Sequence, residues 1–295
     1  MEVVASYLAW VSIVVFIFMC FYRVIKYSSM PLFLRWELYP VPTEPRHHYG
    51  GSYMEEVDYV RKPRHHQRIG GLLDMASEVF YLKKVKEHNR FGLWPFSFSM
   101  HWGIYFLALW ILLLLVEGIF GLDFLKPLTN ICGPVAFILG AFGSLALLFK
   151  RIGTPKLAQY TTPEDYFNLL FLFAVFLTGL ISWLGDTSFV FTRAYIDEVI
   201  HLQPAPVALP FIVVLNFLLI ELFIFYMPFC KLFHYVAKYF TFDKIFWDDA
   251  FLVKGTPNDQ KVIKQLGYVV TWAGPHVVPG KTWLEEAQIV DGGGN

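Results

Sequence analysis

The sequence predicts an all-α membrane protein. The expected form is a five-helix transmembrane bundle with its N-terminus outside, its C-terminus in the cytoplasm, a surface amphipathic helix and a cytoplasmic tail. Three observations lead there. Only 16% of the 295 residues are charged and 56% are hydrophobic, against about 25% charged in an ordinary soluble domain. Five stretches reach the roughly 20 apolar residues that a bilayer crossing needs. Lysine and arginine are distributed between the connections in a very lopsided way.

The five stretches are residues 3–22, 100–120, 131–149, 166–184 and 207–229. Backbone amides in lipid have no water to bond, so each should be a helix. The first begins "MEVVASYLAW" with no basic region before it, which favours a retained span over a cleaved signal peptide. A long polar connection, residues 23–95, follows. Its Pro- and His-rich opening "YPVPTEPRHHYGG" reads as irregular chain. In "GLLDMASEVFYLKKVKEHNRFG", Leu72, Leu73, Ala76, Val79, Phe80 and Leu82 recur at helical spacing, the mark of an amphipathic helix on a membrane surface or a partner. The expected domains are 1–240, the membrane domain with its cytoplasmic loop 23–95, and 241–295, a polar docking tail.

Of the 24 Lys and Arg, 22 fall in residues 23–95, residues 150–163 and the tail, and only Lys126 and Arg193 fall in the other two connections. The positive-inside rule puts the basic connections in the cytoplasm, so the chain reads as a multi-pass protein of the cell's inner (cytoplasmic) membrane. Net charge is zero, so no nucleic-acid partner is implied. The three cysteines, Cys20, Cys132 and Cys230, are scattered and form no CxxC. They offer no disulfide framework, zinc site or iron–sulfur cluster.

Seven of the nine histidines sit in loops or the tail. His47, His48, His65, His66 and His276 read as solvated surface, His88 ends the surface helix, and His201 precedes the last span. His101, in "SMHW", opens the second span, and His234, in "MPFCKLFH", follows the fifth. Both fall at the cytoplasmic side at similar depth. An ionisable group at the membrane edge is costly and points to function, and two facing neutral imidazoles are the axial set of a haem. Gly103 and flat neighbouring side chains would make room for a porphyrin. The plainer reading is that each histidine snorkels to the headgroups.

The five spans, the outside N-terminus, "SMHW" and "MPFCKLFH" resemble the cytochrome b membrane subunits related to the nitrate reductase gamma subunit. Similar subunits serve heterodisulfide reductase and the sulfite-reduction membrane complex. The resemblance covers about residues 1–240. It implies a membrane electron-transfer subunit that exchanges electrons between a quinone, menaquinone or another, and a cytoplasmic iron–sulfur partner of the heterodisulfide-reductase or nitrate-reductase type. It also implies haem b with His101 and His234 on the iron.

One haem is expected. The two-haem members of that family carry a second histidine pair nearer the outer face, but the residue 18 positions back from His234 on the same helix face, five turns or about 27 Å away, is Asn216, which does not ligate iron. A second haem is possible only through His201. Lys231 and Arg90 are candidates to pair with the haem propionates, as is Arg151. Cys230, four residues before His234, would share its helix face and touch the porphyrin or simply pack. Glu221, mid-span, would lie about 140° round the same helix from His234. It either serves proton or quinone chemistry or is satisfied by Asn216 or a hydroxyl of another helix. Glu117 and Asp186, near the outer edge, read as solvated. The alternative function is a haem-free anchor that docks a soluble complex. A transporter is disfavoured by the lack of an inverted repeat.

Overall fold

The computed structural model describes residues 2–29, 61, 68–203, 207–240, 254–274 and 277–289. Histidines 47, 48, 65, 66 and 276, and most of the loop 23–95 with its Pro-rich opening, lie outside the described residues. The chain forms two compact units, Met1–Tyr22 with Met75–His234 and Arg23–Asp74 with Tyr235–Asn295.

Helix is the regular element of the described residues: α1 (Glu2–Ser29), α2 (Arg68–Tyr81), α3 (Lys83–Glu87), α4 (Trp94–Phe120), α5 (Lys126–Gly153), α6 (Pro155–Ala158), α7 (Pro163–Gly185), α8 (Val190–His201), α9 (Phe211–Tyr226), α10 (His234–Lys238), α11 (Pro257–Leu266) and α12 (Trp283–Ala287). Five stretches are long and apolar enough to cross a membrane: Ser6–Ser29, Trp94–Phe120, Asp123–Gly153, Pro163–Gly185 and Phe211–Phe229. The molecule is thus an all-α, multi-pass membrane protein.

In the first unit, α5 is central, with α4 on one side and α7 on the other, and α9 packs on α7. Lipid gives no hydrophobic drive for this association, so close backbone approach replaces it. A Cβ on Gly103 would run into the backbone of Gly140, and one on Gly143 into the backbone of Met100. Gly103 is therefore occupied by α5, and does not open a porphyrin space as the sequence suggested. Asn216 ties α9 to α7, donating to the Val175 carbonyl at 2.8 Å and to the Thr178 hydroxyl at 3.0 Å.

Two features were absent from the sequence reading. The first is α8. Thr192, Tyr195, Ile196, Glu198 and Val199 turn inward along one helical face. Asp186 caps the helix by accepting from the Phe191 amide at 2.9 Å. α1 is tied to it: Ser6 donates to Glu198 at 2.9 Å and Trp10 to the Val199 carbonyl at 2.8 Å. The second is a break after α9. Pro228 cannot donate to an earlier carbonyl and its ring crowds the preceding turn. The chain passes through 3₁₀ turns at Met227–Phe229 and Lys231–Phe233, with Cys230 extended between them, before α10 begins at His234.

In the second unit, Val269 bridges Thr282 and Gly274 bridges Val277. Thr256 caps α11 by accepting from the Asp259 amide, and Thr282 and Glu285 form a capping box on α12.

Candidate functional site

His101 is aimed by the packing of α4. Ser99 donates to the Leu139 carbonyl of α5 at 2.9 Å, and Ser99, Met100 and Gly103 are buried. At 3.6 residues per turn, Ser99 and Gly103 lie about 200° round the helix from His101, so the imidazole points away from α5. Its Nδ1 lies 2.7 Å from the Ser97 carbonyl. A carbonyl only accepts, so Nδ1 carries the hydrogen and Nε2 carries the lone pair.

His234 is aimed by the break. Its Nδ1 lies 3.2 Å from the Lys231 carbonyl, which selects the same tautomer. The turn that places it is clamped to α7. The Lys231 amide donates to Glu164 at 2.9 Å, and its ammonium reaches the Thr162 hydroxyl at 2.8 Å and Asp165 at 3.2 Å. Thr162 and Asp165 are themselves the capping box of α7. The two imidazoles are neighbours in an edge-on arrangement, with ring centroids 6.1 Å apart and planes inclined at 72°. Tyr105 lies 6.3 Å from the His101 ring.

The other candidates fall elsewhere. The ammonium of Lys231 is met by the Glu164 and Asp165 carboxylates of α7. Arg90 is exposed, its guanidinium 5.8 Å from the Phe91 ring, and Arg151 donates to the Thr161 hydroxyl at 3.2 Å. His201 ends α8, with Nδ1 3.0 Å from the Asp197 carboxylate. Cys230 does not share a helical face with His234, because the chain between them is not α-helical. Its thiol lies 3.5 Å from the Met227 carbonyl, and burial pushes the thiol up from its usual range. The same break removes the 18-residue register to Asn216 and the 140° offset of Glu221.

The outer half between α4 and α9 is filled. Trp110 stacks on Phe217 at 6.1 Å and meets Phe189 at 5.2 Å, and Tyr195 stacks on Phe217 at 4.5 Å. Polar groups here are buried, contrary to the solvated role expected for Glu117. Its carboxylate accepts from Thr129 and, at 2.7 Å, from Arg193, which also donates to Asn130 at 3.1 Å. Glu221 accepts from Tyr195 at 2.5 Å.

The last feature of the site is a row of donors on α4 that the sequence reading missed. Trp94, Trp102 and Tyr105 donate to the carbonyls of Tyr81, Phe80 and Val79 at 2.8, 3.0 and 2.9 Å. They satisfy the final carbonyls of α2, which no helical amide can reach. Their signal was present as an aromatic run at three- and four-residue spacing beside His101.

Among the described residues there is no cluster of three or more His, Cys, Asp or Glu that could hold a bare metal ion. An iron already held in a porphyrin asks only two ligands of the protein, and two neighbouring imidazoles with anchored Nδ1 atoms fit that demand. No family model, curated protein or solved structure matches the chain.

Proposed function

We propose that the chain is a membrane electron-transfer subunit that binds one haem b between His101 and His234. It would exchange electrons between a membrane quinone and a cytoplasmic iron–sulfur partner. The observation that carries this reading is the neighbouring histidine pair. Metal–imidazole bonds of about 2 Å on either side of an iron, with the ring radii added, ask for centroids roughly 6 Å apart, and the rings stand at 6.1 Å.

The chain's part is to present and orient. The Ser97 and Lys231 carbonyls hold each Nδ1–H, which fixes the tautomer and raises the basicity of Nε2. The clamp of Lys231 on α7 sets the height of His234. The haem would supply the one-electron chemistry. The packed aromatics of the outer half favour one haem over two, and His201, engaged by Asp197, has no second histidine facing it among the described residues.

The test is a reduced-minus-oxidised visible spectrum, with haem stoichiometry, of the purified protein and of His101→Ala and His234→Ala. The expected result is a b-type spectrum at one haem per chain that either substitution abolishes. A pigment-free wild type would overturn the reading and leave the haem-free anchor.

A further inference from the structure

Glu221 is 4% exposed, and among the described residues its Oε2 has no hydrogen-bond partner, although Oε1 accepts from Tyr195. A lone carboxylate charge in such a place is expensive. One hydroxyl donor is a poor return for it, and the Asn216 amide, one turn away, is committed to α7. A carboxyl group that keeps a proton removes that cost.

The groups that lead to it lie on α8. Asp197 and His201 pair at the exposed end of that helix. Glu198 beside them is 2% exposed and accepts from Ser6 of α1. Tyr195 is three residues earlier on the same helical face, fully buried, with its hydroxyl on Glu221. Exchangeable groups thus run inward from a solvated edge to a mid-membrane acid. The other buried acid at this end, Glu117, is held by Thr129 and Arg193 and is not in the line.

We propose that Glu221 is a protonated proton-exchange site, reached from the α8 side of the membrane through Glu198 and Tyr195. In discharge the Glu221 O–H bond breaks, its proton passes to the Tyr195 oxygen and the phenol's own proton leaves toward Glu198; the resulting carboxylate is reloaded by the same exchange in reverse. The relay ends unchanged and consumes no oxidant or reductant. The inference is independent of the haem. Where the quinone reading holds, Glu221 gives or takes the proton that accompanies quinone chemistry.

The experiment is infrared spectroscopy of the full chain in lipid nanodiscs, transferred from H₂O to D₂O. The wild type should show a protonated-carboxyl C=O band that is missing in Glu221→Gln and that shifts in D₂O. Tyr195→Phe keeps the ring stack on Phe217, and Glu198→Gln keeps an acceptor for Ser6, so both should fold. Each should slow the shift by about 10²-fold, the usual contribution of a positioned proton-transfer group, while Glu117→Gln should leave it unchanged. Absence of the band, unchanged exchange in Tyr195→Phe or Glu198→Gln, or equal slowing in Glu117→Gln would overturn the proposal. Because the band is read with or without haem, failure here is distinct from failure of the cytochrome reading.

Discussion

At the scale of single residues, the ion pair of Glu117 and Arg193 shows how position and environment come apart. Both residues stand near the end of the bundle that the sequence places outside, where a charge normally meets water. α8 packs over Glu117, which is buried, and carries Arg193, which is half-buried, with Nε 2.7 Å from the carboxylate. Removing one partner strands the other charge, so Arg193→Ala should cost about 3–5 kcal/mol. Replacing both by Met should restore most of the loss, because the desolvation cost disappears with the charges. Unfolding in detergent, followed by circular dichroism, measures both. A single-variant loss below about 1 kcal/mol would show a solvated pair. The sequence carried the depth of these residues but not their cover. An amphipathic helix of twelve residues between two spans leaves a weaker trace than a span, and its inward face is partly polar.

Elements were legible wherever one force dominated. The five spans follow from apolar length alone, but of the first four only the fourth keeps both ends within a turn: α1 runs on to Ser29, α4 starts at Trp94 and α5 at Lys126. On the fifth, a single proline outweighs the apolar run around it. Registers counted across that point were lost, and the ring centroids of His101 and His234 stand 6.1 Å apart. The α4–α5 contact depends on the absence of a side chain, so Gly103→Val must push the helices apart. Overpacking of this kind costs typically 1–3 kcal/mol. If α4 also sets the height of His101, that variant should bind less than one haem per chain even where it folds.

A second element responds to pH. In α12 the Thr282 amide and hydroxyl donate to the Glu285 carboxylate, and these bonds, with Lys281 nearby, hold its carboxyl below the usual carboxylate range. The folded form therefore binds this proton less readily than the unfolded form. The cap contributes fully above the ordinary glutamate range and fades as pH falls through the lowered value. Amide exchange in residues 283–287 should show weaker protection, after correction for intrinsic rates, below about pH 4. Glu285→Gln should flatten that dependence.

At the scale of the whole molecule, the bundle has two ends, and charge decides which faces the cytoplasm. One end carries the starts of α4 and α7, the end of α5 and both site histidines. The other carries the start of α5, α8 and the start of α9. Arg193 belongs to the second end by sequence, yet it is half-buried and neutralised by Glu117. Lys126 at the same end lies 2.7 Å from Asp123. Lysine and arginine count in topology whatever acids they pair with, so the bias of twenty-two against two places the first end in the cytoplasm. It puts the histidine pair on the cytoplasmic side and α8, with its line to Glu221, on the outer side. In a background with Cys20 and Cys230 replaced by Ser, Lys126→Cys should react with a membrane-impermeant thiol reagent in intact cells. Lys156→Cys should react only after lysis. The reverse pattern would invert the molecule, and the proton line of α8 would then open to the cytoplasm.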